Sequence, residues 1–171
     1  MKKHIVLSLT IFILFSGCNR IKYFDSADQM VANALKVVNM ISVSDLKSLM
    51  ESEAIYTLID VRQKSEHYYG YIPGSIVIPR GSLEFLIANG DFWEENFLYQ
   101  PEKDEKIIVY CRKGNRCILA AESLIKLGYK EVYALKDGWK AWETTFPEET
   151  EKSLDMLGGG NDDHSEDLSG C

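Results

Sequence analysis

Metal-binding patterns are missing from this chain. Its 171 residues include three histidines and four cysteines, and none are spaced as zinc ligands are. Internal repeats are missing too. The apolar run at residues 5–15 falls well short of the roughly 20 residues that a membrane-spanning helix needs. There is no surplus of basic charge. The net charge is −7, and residues 147–171, with eight acidic residues and one lysine, carry all of it. Residues 1–146 therefore balance, and nothing points to nucleic-acid binding. What remains is an ordinary apolar fraction of 46%, enough for one domain with one core and some additional segments.

The chain begins with a charged start and a short apolar stretch. Lys2 and Lys3 precede the apolar run, and Ser16, Gly17 and Cys18 follow it. That is the layout of a secretory signal. The ending Phe15-Ser16-Gly17-Cys18 resembles the bacterial lipobox, with Phe15 in place of the usual Leu. The resemblance implies cleavage before Cys18 and lipidation of its sulfur. An ordinary secreted protein with an incidental cysteine is the alternative. Several acyl chains would hold the protein firmly, at about 0.8 kcal/mol per buried methylene. With Cys18 set aside, Cys111, Cys117 and Cys171 are too few for a disulfide framework, although a thiol outside the cytoplasm is prone to oxidation.

Further along, the apolar spacing predicts a helix over residues 25–38, capped by Asp25 or Ser26, and a second helix capped by Ser44. Apolar runs at 54–62, 75–79, 106–111 and 131–135 predict strands, and 40–42 is a short extended piece. Helical stretches lie between them at 63–70, 82–90, 91–99 and 115–129, and a last one at 138–146. On the helix after 115, Ile118, Leu119, Leu124 and Leu127 set the expected apolar stripe. Strands alternating with helices imply a mainly parallel sheet covered on both faces. Trp139 and Trp142 are expected in the core. Residues 147–171 are polar, acidic and glycine-rich, and are expected to form a disordered tail. His164 and Cys171 within it are read as solvated groups.

The chemistry concentrates in Val109-Tyr110-Cys111-Arg112-Lys113-Gly114-Asn115-Arg116-Cys117. Cys111 ends a buried strand, and a helix starts about four residues later. Ligands bind at that position in open α/β sheets. Gly114 permits a tight loop whose amides face an anion, and the helix start adds its positive end. Arg112 and Lys113 add positive charge, and Arg116 offers a fork of donors. Such surroundings convert a thiol into a thiolate. Cys111 is therefore the candidate nucleophile, with Arg112, Lys113, Gly114, Asn115 and Arg116 as candidate substrate-binding residues.

This loop resembles the active-site loop of the rhodanese sulfurtransferases. So do Asp60-Val61-Arg62, the stretch from Glu66 through Pro73 and Gly74 to Pro79, and Leu135-Lys136-Asp137-Gly138-Trp139-Lys140-Ala141-Trp142. The match runs in order from about residue 41 to 146. Tyr71 stands where the family usually has His, Asp137 replaces a Gly, and Cys117 replaces a common Ser. The resemblance implies an α/β, three-layer rhodanese-like fold with a mainly parallel central sheet flanked by helices. The chain then divides into a lipoprotein signal peptide (1–17), a linker and N-terminal helix (18–40), a rhodanese-like domain (41–146) and the acidic tail (147–171).

The resemblance also implies a sulfurtransferase. A sulfane sulfur would pass from thiosulfate or a similar donor, through a Cys111 persulfide, to cyanide or a thiol. No cofactor and no metal enter that chemistry. Asp60, Arg62 and Glu66 are expected as structural support, with Arg62 paired to Glu66. Arg116 either contacts the anion or makes an inward structural bond. His67 is expected to pack. Cys117 is read as a small buried residue, with a resolving thiol for Cys111 as the alternative. Other readings are a non-turnover persulfide carrier, a Cys111/Cys117 redox protein, and a Cys-dependent phosphatase or arsenate reductase. The last suffers from its loop: phosphatases of this architecture resemble Cys-x5-Arg, whereas Cys111 and Arg116 give Cys-x4-Arg, a smaller cradle. The expected location is lipid-anchored on a bacterial membrane, facing the periplasm or the exterior. Any protein partner is left open.

Overall fold

β4 (Lys106–Tyr110) runs through the middle of the molecule, and its last four residues are buried. The computed structural model describes residues 22–153. The expected signal peptide, Cys18, His164 and Cys171 lie outside the described residues. Around β4 are arranged β1 (Asn39–Ile41), β2 (Tyr56–Asp60), β3 (Ile76–Val77) and β5 (Glu131–Leu135). They form one five-stranded sheet in the order β1-β5-β4-β2-β3, and every pairing is parallel. Tyr56 faces Lys106 and Asp60 faces Tyr110 across β2 and β4, so both strands deliver their carboxyl ends to one rim.

Side chains alternate along a strand, so β4 feeds two cores. Ile107 and Val109, followed by Cys111, join one core with Ile59, Ala120, Ala121, Leu124 and Trp93. Ile108 and Tyr110 join the other with Leu46, Leu58, Trp139 and Trp142. The first core is covered by α1 (Ala27–Ala34), α4 (Leu83–Leu86), α5 (Gly90–Glu95) and α6 (Asn115–Lys126). The second is covered by α2 (Val43–Met50) and α7 (Gly138–Thr145). The result is the expected α/β three-layer arrangement. α3 (Lys64–Tyr68) follows the carboxyl end of β2.

Some expectations are corrected in detail. Ser26 caps α1, its Oγ accepting from the Gln29 amide at 3.2 Å. The cap of α2 is Ser42, not Ser44: its Oγ accepts from the Asp45 amide at 3.1 Å. The buried side of α6 is Cys117, Ile118, Ala120, Ala121 and Leu124, whereas Leu127 caps the helix and is exposed. Small residues let α6 lie close to the sheet, which rotates its inner face toward the alanines.

The expected tail also begins too early. Residues 147–153 return along the domain instead of leaving it. The buried Trp142 donates its indole N–H to the Glu149 carbonyl at 2.8 Å, and Lys47 pairs with the Glu149 carboxylate. Glu151 bridges Tyr71 through both backbone bonds, and the Ser153 amide donates to the Tyr68 carbonyl. Satisfying these backbone groups holds a polar segment that has little apolar surface to bury.

Candidate active site

Every βα loop of a parallel sheet leaves from the same rim, and here the rim gathers Cys111, Arg62 and the start of α6. Cys111 is 1% exposed as a residue, yet it lines a cavity of about 230 Å³ with Arg112, Lys113, Asn115 and Arg116. Gly114 makes the turn, with φ of 99°, and serves as the N-cap of α6. Its amide donates to Cys111 Sγ at 3.2 Å. The structure therefore brings the five expected loop residues together with Cys111.

Cys117 lies on the inner side of the same turn, fully buried, and its Sγ is 2.9 Å from the Gly114 carbonyl oxygen. The peptide groups of Gly114 thus engage both sulfurs, one through N–H and one through C=O. The Cys111 pKa is lowered to about 6. The neighbouring Cys117 thiol is the largest cause. Burial opposes it, and the amides of Cys117, Lys113 and Gly114 add to the lowering. The Cys117 S–H has two carbonyl oxygens in reach, that of Gly114 at 2.9 Å and that of Leu135 at 3.8 Å. In exchange the Cys117 thiol is raised well above its ordinary value, by Cys111 and then by burial, and stays protonated. Both thiols are free. The sequence singled out Cys117 as a neighbour but did not show that it lowers the Cys111 pKa.

The supporting residues pair differently from the expectation. Arg62 does not bind Glu66. Its guanidinium holds Asp60, with Nε 2.9 Å from both carboxylate oxygens and Nη2 at 2.6 Å from Oδ2. Nη2 also donates to the Gly70 carbonyl at 2.7 Å. His67 completes the cluster, Nδ1 lying 2.9 Å from Asp60 Oδ2, while its ring stacks on Tyr71 at 4.1 Å. Burial pushes the Asp60 carboxyl up, but the bonds from His67 and Arg62 outweigh it and hold the pKa below its ordinary value. The Arg62 guanidinium also lies 5.0 Å from the Trp139 ring. This buried cluster ties β2, α3 and α7 together beneath the rim.

Glu66 takes Arg116 instead. Two bonds of 2.7 and 2.8 Å join the guanidinium and carboxylate, and Arg116 holds the Glu66 pKa below its usual range. Of the two roles expected for Arg116, the inward structural bond is formed. Arg112 and Lys113 make no ion pair among the described residues, so their charges stay available at the cavity.

The start of α7 carries the other half of the loop's support. The Trp139 amide donates to the Cys111 carbonyl at 2.7 Å, and the Lys140 amide to the Arg112 carbonyl at 3.0 Å. Gly138 sits so close that a Cβ there would lie 2.1 Å from the Cys111 carbonyl oxygen. Asp137 adopts φ of 59°, a left-handed conformation that Asp tolerates better than most residues. The signal was present in Asp137-Gly138-Trp139, but nothing local showed that this turn touches Cys111.

A five-stranded parallel sheet whose rim presents a thiol bonded by the Gly114 amide defines an α/β protein with a cysteine where such sheets bind ligands. Comparison with known proteins narrows this. The family model for the rhodanese-like domain matches residues 42–145, and the chain belongs to that family. It is 27% identical over 112 residues to the thiosulfate sulfurtransferase GlpE of Pseudoalteromonas translucida, covering 66% of this chain and 95% of the relative. It is 37% identical over 107 residues to the rhodanese domain-containing protein CG4456 of Drosophila melanogaster, covering 60% of this chain and 95% of that one. Among solved structures, the human single-domain sulfurtransferase TSTD1 aligns with TM-score 0.59 and 25% identity, over 63% of this chain and 96% of that one. A Rhodopseudomonas palustris protein described as a possible tyrosine phosphatase aligns with TM-score 0.61 and 27% identity, over 74% of this chain and 95% of that one.

Proposed function

We propose that this protein is a sulfurtransferase that carries a sulfane sulfur on Cys111 from thiosulfate, or a similar anionic donor, to cyanide or a thiol. The observation that carries the reading is the cradle itself: a Cys111 sulfur bonded by the Gly114 amide, opening into a cavity of about 230 Å³ beside the unpaired Arg112 and Lys113. The Cys111 thiolate attacks the outer sulfur of thiosulfate. The new S–S bond forms as the old one breaks, and sulfite leaves with the bonding electron pair. Arg112 and Lys113 offset the repulsion between thiolate and dianion. The amides of Lys113 and Gly114 then hold the terminal charge of Cys111–S–S⁻, as an oxyanion hole holds oxygen. An acceptor anion takes the outer sulfur and returns the electron pair to Cys111. No general base is required, because the thiolate is present near neutral pH.

A phosphatase reading is weaker. The loop is Cys-x4-Arg, and Arg116 is committed to Glu66 rather than free to clamp a phosphate. The N-terminal segment supports placing the protein on a bacterial membrane through lipid on Cys18, facing the periplasm or the exterior.

The test is the intact mass of the reduced protein after thiosulfate and again after cyanide. One added sulfur on wild type, removed by cyanide and absent from Cys111→Ser, is the expected result. No added sulfur on wild type would overturn the reading. Turnover in excess of one sulfur per protein distinguishes an enzyme from a carrier.

A further inference from the structure

A second cleft adjoins the Cys111 cavity and shares Arg112 with it. Its volume is about 400 Å³. α3 and its end supply Glu66 and Tyr69, and α7 supplies Trp139 and Glu143. Trp139 and Glu143 are four residues apart and so share a helix face. The same Trp139 binds the Cys111 carbonyl through its amide, so this wall is fixed to the nucleophile's own backbone. Thiosulfate has no use for such a space. In the proposed reaction its charged atoms meet Arg112, Lys113 and the loop amides, and an aromatic wall with carboxylates is a poor host for a dianion.

The charges in the cleft are not all available. Arg62 is spent on Asp60, and Glu66 on Arg116. Arg112 and Glu143 form no ion pair among the described residues. The cleft thus offers one open cation, next to Cys111, and one open anion, farther along α7. A complementary ligand carries a carboxylate and an ammonium group and is small enough for a cleft of about 400 Å³. In a two-step transfer, sulfite departs before the acceptor arrives, so Arg112 can serve the donor first and the acceptor second.

We propose that this cleft is the acceptor site and selects a small zwitterionic thiol, an α-amino-acid thiol, with its carboxylate on Arg112 and its ammonium group on Glu143. The assignment rests on the sulfurtransferase reading above. The acceptor thiol gives its proton to solvent and attacks as thiolate. A bond forms between its sulfur and the outer sulfur of Cys111–S–S⁻. The bond to Cys111 breaks, its electron pair returns to Cys111 as thiolate, and the acceptor leaves as a persulfide anion. No oxidant or reductant is consumed.

Four thiols separate the two charges: cysteine carries both, cysteamine only the ammonium group, 3-mercaptopropionate only the carboxylate, and 2-mercaptoethanol neither. Thiosulfate turnover with each is measured in wild type, Glu143→Gln and Glu143→Lys. Each thiol's kcat/KM is divided by that for cyanide in the same protein, and each thiol is compared only with itself across the variants. Intrinsic thiol reactivity then cancels. Glu143→Gln is expected to lower the ratio for cysteine and cysteamine about two- to fivefold, the range of an exposed ion pair, with no such loss for the other two. Glu143→Lys is expected to deepen that loss and to favour 3-mercaptopropionate. Equal changes for all four thiols, or none, would overturn the acceptor site while cyanide turnover kept the sulfurtransferase reading. If thiosulfate adds no sulfur to Cys111, both fall together.

Discussion

At the scale of single residues, the reactivity of Cys111 depends on a neighbour that never touches substrate. The Cys117 thiol is the largest of the influences that lower the Cys111 pKa to about 6, ahead of the loop amides. Alkylation and sulfur loading by wild type should therefore rise with pH through about 6 and level off above it. Cys117→Ala removes the donor, so the midpoint should move upward. Cys117→Ser keeps a hydroxyl donor and should move it less. The rate of iodoacetamide modification against pH checks this, and an unmoved midpoint in Cys117→Ala would leave Cys117 a packing residue only. The sign for stability follows from the same shift. A depressed thiol pKa contributes stability above the unfolded value, and that contribution is lost as pH falls through about 6. Cys111 was legible in the sequence because its cradle is local: the glycine, the cations and the helix start all lie within a few positions. The Arg116–Glu66 pair was not, because its partners are 50 residues apart. The family resemblance favoured Arg62 for Glu66, but Asp60, two residues from Arg62 and wholly buried, has the stronger need for a cation.

At the scale of elements, α7 acts as a brace for the loop after β4. Gly138→Ala is expected to force the Cys111 carbonyl and the new Cβ apart and to place a side chain at φ of 60°. The left-handed conformation alone costs about 1–2 kcal/mol. The variant should melt earlier than wild type and load sulfur more slowly at temperatures where it remains folded. Wild-type melting and loading together would show that the brace is dispensable. The long buried strand β4 and the helix α6 were readable because their apolar patterns are continuous. The apolar, β-branched run at 75–79 was readable as a strand too, although only Ile76 and Val77 of it pair with β2. Ser42 rather than Ser44 caps α2 because the chain leaves β1 immediately before it, and no local pattern distinguishes the two serines.

At the scale of the whole molecule, the proposed chemistry and the proposed location fall in separate parts of the chain. The domain holds the thiol, and the first 18 residues hold the proposed address. Cells producing the protein with an alkyne-tagged fatty acid should label wild type in the membrane fraction. Cys18→Ser should lose both label and membrane partition while its sulfur loading is kept. Equal partition of the two proteins, without label, would remove the lipid anchor. The return of residues 147–153 has a different consequence. The family match ends at residue 145, but the hydrogen-bonded structure extends further. A fragment trimmed to the family boundary would strip the acceptor from the Trp142 indole, at about 1–3 kcal/mol for a buried donor, and release the backbone bridge at Tyr71. Homology therefore marks what this chain shares with its relatives, while the packed structure runs on through Ser153.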